Sequence, residues 1–210
     1  MKKTLIIIFS TLFISSFTLS QGFFVRGGAQ YSYFYSKLEW KNDDGSKDKT
    51  SLAAAAPVGF FQLGYNFESN GSAQFSVSSY PGIGFYASTL YGSYLIAQAP
   101  VYGELAFGDP ESFGGFIGAG FDLSYFTGGD LRLNYGPAAD FGISFKIFGR
   151  QSNIRLAYTY GLQRFPKIEG LKMTSESHHV FKFGYIVNIY GGDTGGRSSR
   201  GGGNRSRRRR

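Results

Sequence analysis

Hydrophobic and polar residues alternate along most of the chain from Phe23 onward. In the first such stretch Tyr31, Tyr33 and Tyr35 share one face, while Gln30 and Ser32 share the other. A period of two residues is typical of a β-strand with one apolar and one polar face. The alternation recurs at about 23–35, 54–67, 72–86, 93–107, 113–125, 135–148, 153–163 and 179–190. The pattern therefore predicts an all-β protein of eight antiparallel strands.

The segments between the predicted strands are short at one end of the sheet and longer at the other. Tight turns rich in Gly, Pro, Asn and Ser are predicted at 68–71, 109–112 and 149–152. Polar loops are predicted at 37–52, 88–92, 128–134 and 165–177, of which the first and last are long. An even number of strands with short turns on one side is typical of an up-and-down transmembrane β-barrel.

The composition of the two faces indicates which of them points outward. The polar face carries many glycines and serines and few charges, whereas a water-facing exterior would carry more Lys and Glu. The apolar face is crowded with Phe, Tyr, Leu and Ile, which suits lipid. The alternative is a soluble barrel of the lipocalin kind, whose apolar face points inward. We expect the membrane barrel, with the polar face lining the lumen.

The lumen of an eight-stranded barrel is just wide enough for its own side chains. Isolated charges are costly there, so charged residues on the polar face are expected to pair. The candidates for this polar network are Arg26, Glu104, Asp122, Asp140, Lys146, Arg155 and Lys182. We interpret them as a packed network, and a selective route for a small solute is the alternative.

The first twenty residues resemble a secretory signal peptide. Lys2 and Lys3 precede an apolar run at 5–17, and cleavage is predicted between Ser20 and Gln21. A membrane anchor is the alternative, but the run is shorter than the ~20 residues that a spanning helix needs. We therefore expect a signal peptide at 1–20 and a barrel at 21–190.

The net charge of +8 is concentrated at the two ends of the chain. Residues 191–210 form a Gly/Arg-rich tail whose seven arginines stand against Asp193, and the segment 21–190 is neutral. A tail of this composition is expected to be disordered. Arginine with glycine can bind RNA, but after a signal peptide and a barrel we expect no nucleic acid. A periplasmic polyanion or anionic headgroup is the partner that the tail would suit.

Two segments contain residues that could carry chemistry. Ser175, Glu176, Ser177, His178 and His179 are side-chain types of a hydrolytic site. Sequence neighbours on a strand point to opposite faces, however, so we predict no catalytic or metal site there. The acidic stretch 41–48 lacks the spacing of a calcium loop. We expect no cofactor, and the absence of cysteine excludes disulfides and thiolate metal sites.

Three segments resemble known families of outer-membrane barrels. The last strand resembles the C-terminal signal read by the barrel assembly machinery, with Lys182, Gly184, Val187, Ile189 and Tyr190 at its characteristic positions. It differs in having aliphatic residues at two of these positions and a tail after Tyr190. The segment 22–31 is similar to the first strand of OmpA/OmpX-like barrels, and 116–125 to a middle strand of the PorT-type barrels of Bacteroidetes. The resemblance implies fold and location much more than function.

The sequence thus predicts a non-enzymatic protein of the outer membrane of a Gram-negative bacterium. Its role would be structural, or adhesion and recognition through the outer loops, with 37–52 as the contact for an extracellular ligand. The alternatives are a narrow pore or secretion-associated barrel, and a lipid A-modifying enzyme at the rim. Further expected partners are outer-membrane lipid and the barrel assembly machinery, and both mature termini are expected in the periplasm.

Overall fold

A computed structural model describes residues 22–42, 44–67, 73–88, 92–109, 113–128, 133–147, 150–163 and 172–191. The predicted signal peptide, its cleavage site at Ser20 and Gln21, and the tail from residue 192 lie outside these residues. No helix in the described part of the chain is long and apolar enough to cross a membrane.

All regular structure in the described ranges is β-strand. The ten strand segments are β1 (Phe23–Lys41), β2 (Lys47–Asn66), β3 (Ala73–Ser79), β4 (Gly82–Ser88), β5 (Gly92–Gln98), β6 (Val101–Asp109), β7 (Phe113–Phe126), β8 (Leu133–Ile147), β9 (Arg150–Gly161) and β10 (Lys172–Gly191). Every strand pairing among them is antiparallel.

The pairings close the sheet into a ring of eight strand lines. β3 and β4 together form one line beside β2, and β5 and β6 form the next line beside β7. The ring continues through β8, β9 and β10, and β10 pairs with β1, which in turn pairs with β2. The predicted eight-stranded up-and-down barrel is therefore confirmed.

Two prolines divide the third and fourth strands, which the alternation had predicted as continuous. Proline has no N–H to donate to a ladder, and the gaps between segments fall at Pro81 and Pro100. The carbonyls of these prolines still accept hydrogen bonds, from the N–H of Phe61 and of Tyr80 respectively, at 3.0 and 2.9 Å. The strands are locally interrupted while the wall of the barrel stays closed.

The predicted long loop at 37–52 is instead mostly a β-hairpin, and that prediction was wrong. β1 and β2 pair without a register shift from Phe23 opposite Tyr65 up to Lys41 opposite Lys47. The turn is closed by hydrogen bonds between Asn42 and Ser46, and Gly45 adopts a φ of 87°, which favours glycine. The loop predicted at 165–177 is likewise shortened, because β10 begins at Lys172.

Glycines on the inner face stand directly opposite inward phenylalanines. Three such cross-strand pairs occur, Phe24 with Gly64, Phe60 with Gly28, and Phe116 with Gly142. A Cβ added at Gly28 would lie 2.7 Å from the Phe60 ring, so the ring occupies the space that a side chain would need. Glycine thus allows large aromatic rings to fit inside a narrow barrel.

Replacing Gly142 by valine is expected to destabilise the barrel by about 1–3 kcal/mol, the usual cost of overpacking a filled interior. A Cβ at this position would lie 2.5 Å from Cζ of Phe116 and also meet the Ile154 carbonyl. Urea unfolding in lipid vesicles measures the effect. Ala139→Val, on the exposed face of the same strand, is the matched control and should change little.

Candidate functional site

Arg155 lies at the centre of the lumen and is 1% exposed. Its Nε donates to Asp140 Oδ2 at 2.8 Å. The guanidinium also stacks on two inward tyrosine rings, with Cζ at 4.1 Å from the Tyr80 centroid and 4.6 Å from that of Tyr102. Two oppositely charged residues from the candidate network are therefore in direct contact inside the barrel.

Glu104 is the acceptor of a second group of lumen hydrogen bonds. Ser78 Oγ donates to its Oε2 at 2.7 Å, and the Tyr80 hydroxyl donates to its Oε1. The amide of Gln62 donates to the Tyr80 hydroxyl at 2.7 Å and to Glu104 at 3.3 Å. Through Tyr80 this group is joined to Arg155, so the carboxylate lies in a connected polar layer.

Lys182 and Asp122 form a separate buried ion pair closer to the loop end. Lys182 Nζ lies 2.6 Å from Asp122 Oδ2, and each side chain is 1% exposed. Thr159 Oγ1 donates to the same carboxylate oxygen at 2.8 Å. Two inward amides also pair, with Gln30 donating to Gln98 at 2.6 Å.

Two of the predicted network residues lie near the turn end, away from the buried pairs. Arg26 is half-buried, its Cζ is 4.5 Å from the Phe24 ring centroid, and its Nη2 donates to Gln151 at 3.4 Å. Lys146 is exposed, because β8 ends at the next residue. The structure therefore does not place Lys146 among the buried ions of the lumen.

The lumen also contains two apolar clusters, although the sequence predicted a polar lumen. One lies toward the loop end and consists of Phe34, Ala56, Val58, Ile96, Phe126 and Val180. The other lies beside the central ions and consists of Phe60, Tyr80, Tyr102, Ala138 and Ile186. Ions, amides and aromatic rings thus pack together in the described interior.

At the loop end the inner face carries Ser36, His178 and Glu176. Ser36 Oγ lies 2.8 Å from His178 Nδ1, and His178 Nε2 lies 3.8 Å from Glu176 Oε2. Sequence reasoning considered His178 and Glu176 but missed Ser36, which comes from β1 and stands opposite His178 in the ladder. His179 points to the outer face, where its Nδ1 is 2.7 Å from the Tyr158 hydroxyl.

The acidic residues of the β1–β2 turn serve local hydrogen bonds. Asp44 Oδ1 accepts from the backbone N–H and the hydroxyl of Ser46 at 2.8 and 2.6 Å, and Asp48 accepts from Asn42 at 2.8 Å. These two bonds from Ser46 lower the pKa of the Asp44 carboxyl. Among the described residues, no group of three His, Cys, Asp or Glu is placed to hold a metal ion.

The residues of the predicted assembly signal divide between the two faces of β10. Lys182 points into the lumen, Gly184 lies opposite Gln30 of β1, and Ile189 is 60% exposed on the outer face. Val187 is half-buried. Tyr190 lies opposite Val25, next to a register shift at Arg26.

The outer surface between the two ends is a continuous apolar belt. Large apolar side chains on every strand line of the ring are exposed there, with Ile83, Phe85, Phe113 and Ile189 each at least 60% exposed. Such a surface is far larger than the apolar patches that water-soluble monomers expose. A closed ring has no free sheet edge and satisfies its own backbone hydrogen bonds, as lipid requires. The described part of the chain has the architecture of a transmembrane β-barrel.

No protein-family model and no curated protein sequence matches the chain. Solved structures with some likeness include the attachment invasion locus protein Ail of Yersinia pestis in complex with the heparin analogue sucrose octasulfate, with 18% identity and a TM-score of 0.33. Neisserial surface protein A has 15% identity and a TM-score of 0.36, and each of these two alignments covers 78% of this chain and 99% of the other. The COG4313 outer membrane channel from Pseudomonas putida F1 has 10% identity and a TM-score of 0.26, over 81% of this chain and 97% of the channel. The strand pairings themselves define this chain as an eight-stranded antiparallel barrel.

Proposed function

We propose that the protein is a non-enzymatic barrel of the bacterial outer membrane that acts at the cell surface through its extended hairpin and outer loops. The single observation that carries this proposal is an apolar outer belt around an interior filled by side chains. A filled barrel can anchor and display a surface, while it offers little room for transport or for chemistry in the lumen.

The surface available for recognition is the part of the sheet that extends beyond the belt. β1, β2 and β10 contain 19, 20 and 20 residues, whereas a strand needs about 9–11 residues to cross a bilayer. β1 pairs with β2 on one side and with β10 on the other, up to Lys41. A three-stranded sheet is a firmer platform for contact with an external ligand than the polar loop that we expected from the sequence.

The filled interior argues against the alternative of a narrow pore. The central ions form two contacting pairs, Arg155 with Asp140 and Lys182 with Asp122, and an apolar layer lies between them and the loop end. Planar-bilayer recordings of the refolded protein should show no discrete conductance steps. Reproducible steps that are absent from a protein-free control would contradict the filled lumen and favour the pore.

The Ser36, His178 and Glu176 set does not favour the alternative of a rim enzyme. β1 is paired on both sides at Ser36, with His178 of β10 and with Leu52 of β2. Its backbone N–H groups are therefore engaged in ladders and are not free to stabilise an oxyanion beside the serine. Lipid A from cells that express the protein should have the same mass spectrum as lipid A from cells that express the Ser36→Ala, His178→Ala double variant.

The remaining features fit the same proposal. Residues 1–20 would direct export, and the barrel assembly machinery would read the end of β10. Both mature ends would then lie in the periplasm, where the arginine-rich tail can contact a polyanion. The proposed family is that of small OmpA/OmpX-like or PorT-type barrels.

Cell fractionation tests the proposed location. The full-length protein should sediment with outer-membrane markers, resist extraction by carbonate, and migrate differently in a gel before and after boiling. Recovery in the soluble periplasmic fraction, with no heat-dependent shift in migration, would contradict the proposal.

A further inference from the structure

Four lysines lie on one face of the β1–β2 hairpin beyond the apolar belt. Lys37 and Lys41 occupy the outward positions of β1, which continue the series Tyr31, Tyr33 and Tyr35 without a register shift against β2. Lys47 and Lys49 stand opposite Lys41 and Glu39. We call Lys37, Lys41, Lys47, Lys49 and the intervening Glu39 the basic face.

The basic face is open to solvent and has an excess of positive charge. All four lysines are exposed, and the side chains of Lys37 and Lys49 are 50% and 62% exposed. Glu39 Oε1 lies 3.0 Å from Lys49 Nζ and 3.8 Å from Lys37 Nζ. The hydrogen bond from Lys49 lowers the pKa of the Glu39 carboxyl, so one acid offsets one of four positive charges at neutral pH.

The lysines begin directly above a cluster of outward aromatic rings. Tyr35 is two residues from Lys37, which is about 7 Å along a strand. The Tyr35 ring centroid is 6.3 Å from that of His179, which is in turn 6.0 and 5.6 Å from those of Tyr158 and Tyr160. Tyrosines at this height are typical of the level at which lipid headgroups meet water.

The opposite face of the hairpin is different in character. Leu38 is 6% exposed, and Trp40 is half-buried on the same side. On this opposite face β2 carries an acidic residue, Asp48, which pairs with Trp40 of β1. The excess of lysine is therefore restricted to the side that continues the lipid-facing surface.

We infer that the basic face binds the phosphate groups of anionic lipid headgroups in the outer leaflet, with the ring cluster of Tyr35, Tyr158, Tyr160 and His179 resting at the headgroup boundary. Three observations fix the occupant as membrane lipid: the face points away from the barrel axis, it continues the apolar belt, and its charge complements phosphate. The inference rests on the proposed outer-membrane location and names a ligand for that surface.

The test is a titration of the full-length protein, held in neutral detergent micelles, with lipid A. Binding is monitored by the fluorescence emission of Trp40, the single tryptophan of the chain. Diphosphorylated lipid A should bind, with an affinity that falls as salt rises. Dephosphorylated lipid A should bind at least tenfold more weakly. Equal binding of the two lipids would overturn the inference.

The decisive comparison is between two charge-matched double variants. Lys41→Gln with Lys47→Gln should weaken binding of diphosphorylated lipid A about 25-fold, because a basic residue at an anionic surface contributes roughly a factor of five. Lys146→Gln with Arg150→Gln removes the same charge from exposed positions at the turn end and should bind as the parent does. Equal affinities of the two variants would overturn the inference.

A sulfated polysaccharide titrated in the same way tests a soluble external polyanion as the occupant. Binding that is tighter than that of lipid A, and equally dependent on Lys41 and Lys47, would overturn the choice of lipid. Because the titration is done in detergent, it does not depend on where the protein resides. A titration that shows no lipid A binding would leave the proposed outer-membrane location standing. A fractionation that contradicts this location would likewise leave the measured lipid A binding unchanged.

Discussion

Replacing Arg155 by glutamine is expected to lower the free energy of unfolding by about 3–5 kcal/mol, the usual cost of removing one partner of a buried ion pair. The change would leave the Asp140 carboxylate buried without the Nε donor that lies 2.8 Å away. It would also remove the guanidinium from the Tyr80 and Tyr102 rings. The measurement is urea unfolding of the protein folded in lipid vesicles, with ΔG extrapolated linearly.

Two further variants separate loss of the ion pair from loss of side-chain volume. Arg155→Gln combined with Asp140→Asn should recover much of the stability, because removing both charges avoids the uncompensated carboxylate. Arg150→Gln makes the same substitution at an exposed position of the same strand and should change ΔG by less than about 0.5 kcal/mol. If Arg155→Gln left the free energy of unfolding unchanged, the lumen would have to be open to water at this level.

Replacing Phe141 by arginine is expected to cost about 2–4 kcal/mol, as for a cation at the midplane of a membrane barrel. Phe141 is 56% exposed at the middle of β8, and its cross-strand neighbours Ile117 and Leu156 are exposed as well. An exposed phenylalanine in water would be replaced by arginine at little cost. The sign and size of this effect therefore report whether the belt faces lipid.

The control is the same substitution near the end of the same strand. Ile147 lies on the same outward face at the turn end of β8 and is 40% exposed. Ile147→Arg should cost only about 0–1 kcal/mol, because cations near the interface are tolerated. Equal effects at Phe141 and Ile147, measured by the same urea unfolding, would contradict a bilayer centred on Phe141.

The alternation of residues was sufficient to predict the ring, but it could not show where strands would break. Four prolines fall within the predicted strands or their extensions, and they behave differently. Pro57 and Pro137 pair within continuous strands on the outward face, opposite Tyr31 and Phe121. Pro81 and Pro100 interrupt theirs. The presence of a proline in the sequence therefore does not by itself predict a break in the strand.

The filling of the lumen was predicted in part. Small and charged inward residues stood out against their apolar neighbours, which is why Asp122, Asp140, Arg155 and Lys182 could be named. The inward aromatic residues could not be recognised in the same way. Phe60 precedes the outward Phe61 and Phe126 follows the outward Tyr125, so the period of two is obscured at both places. Ser36 could not be found beside His178 without the β1–β10 register, which joins residues 142 positions apart.

Site-directed fluorescence in a bilayer tests the membrane barrel most directly, because the chain has no cysteine and a single one can be introduced at each position. A polarity-sensitive dye would be attached to Phe141→Cys on the belt and to Lys49→Cys on the extended hairpin, with the protein folded in vesicles. We predict blue-shifted emission at 141 that is quenched by lipid-borne quenchers and not by aqueous iodide, and the opposite at 49. Iodide quenching of the dye at 141 as strong as at 49 would contradict a transmembrane barrel.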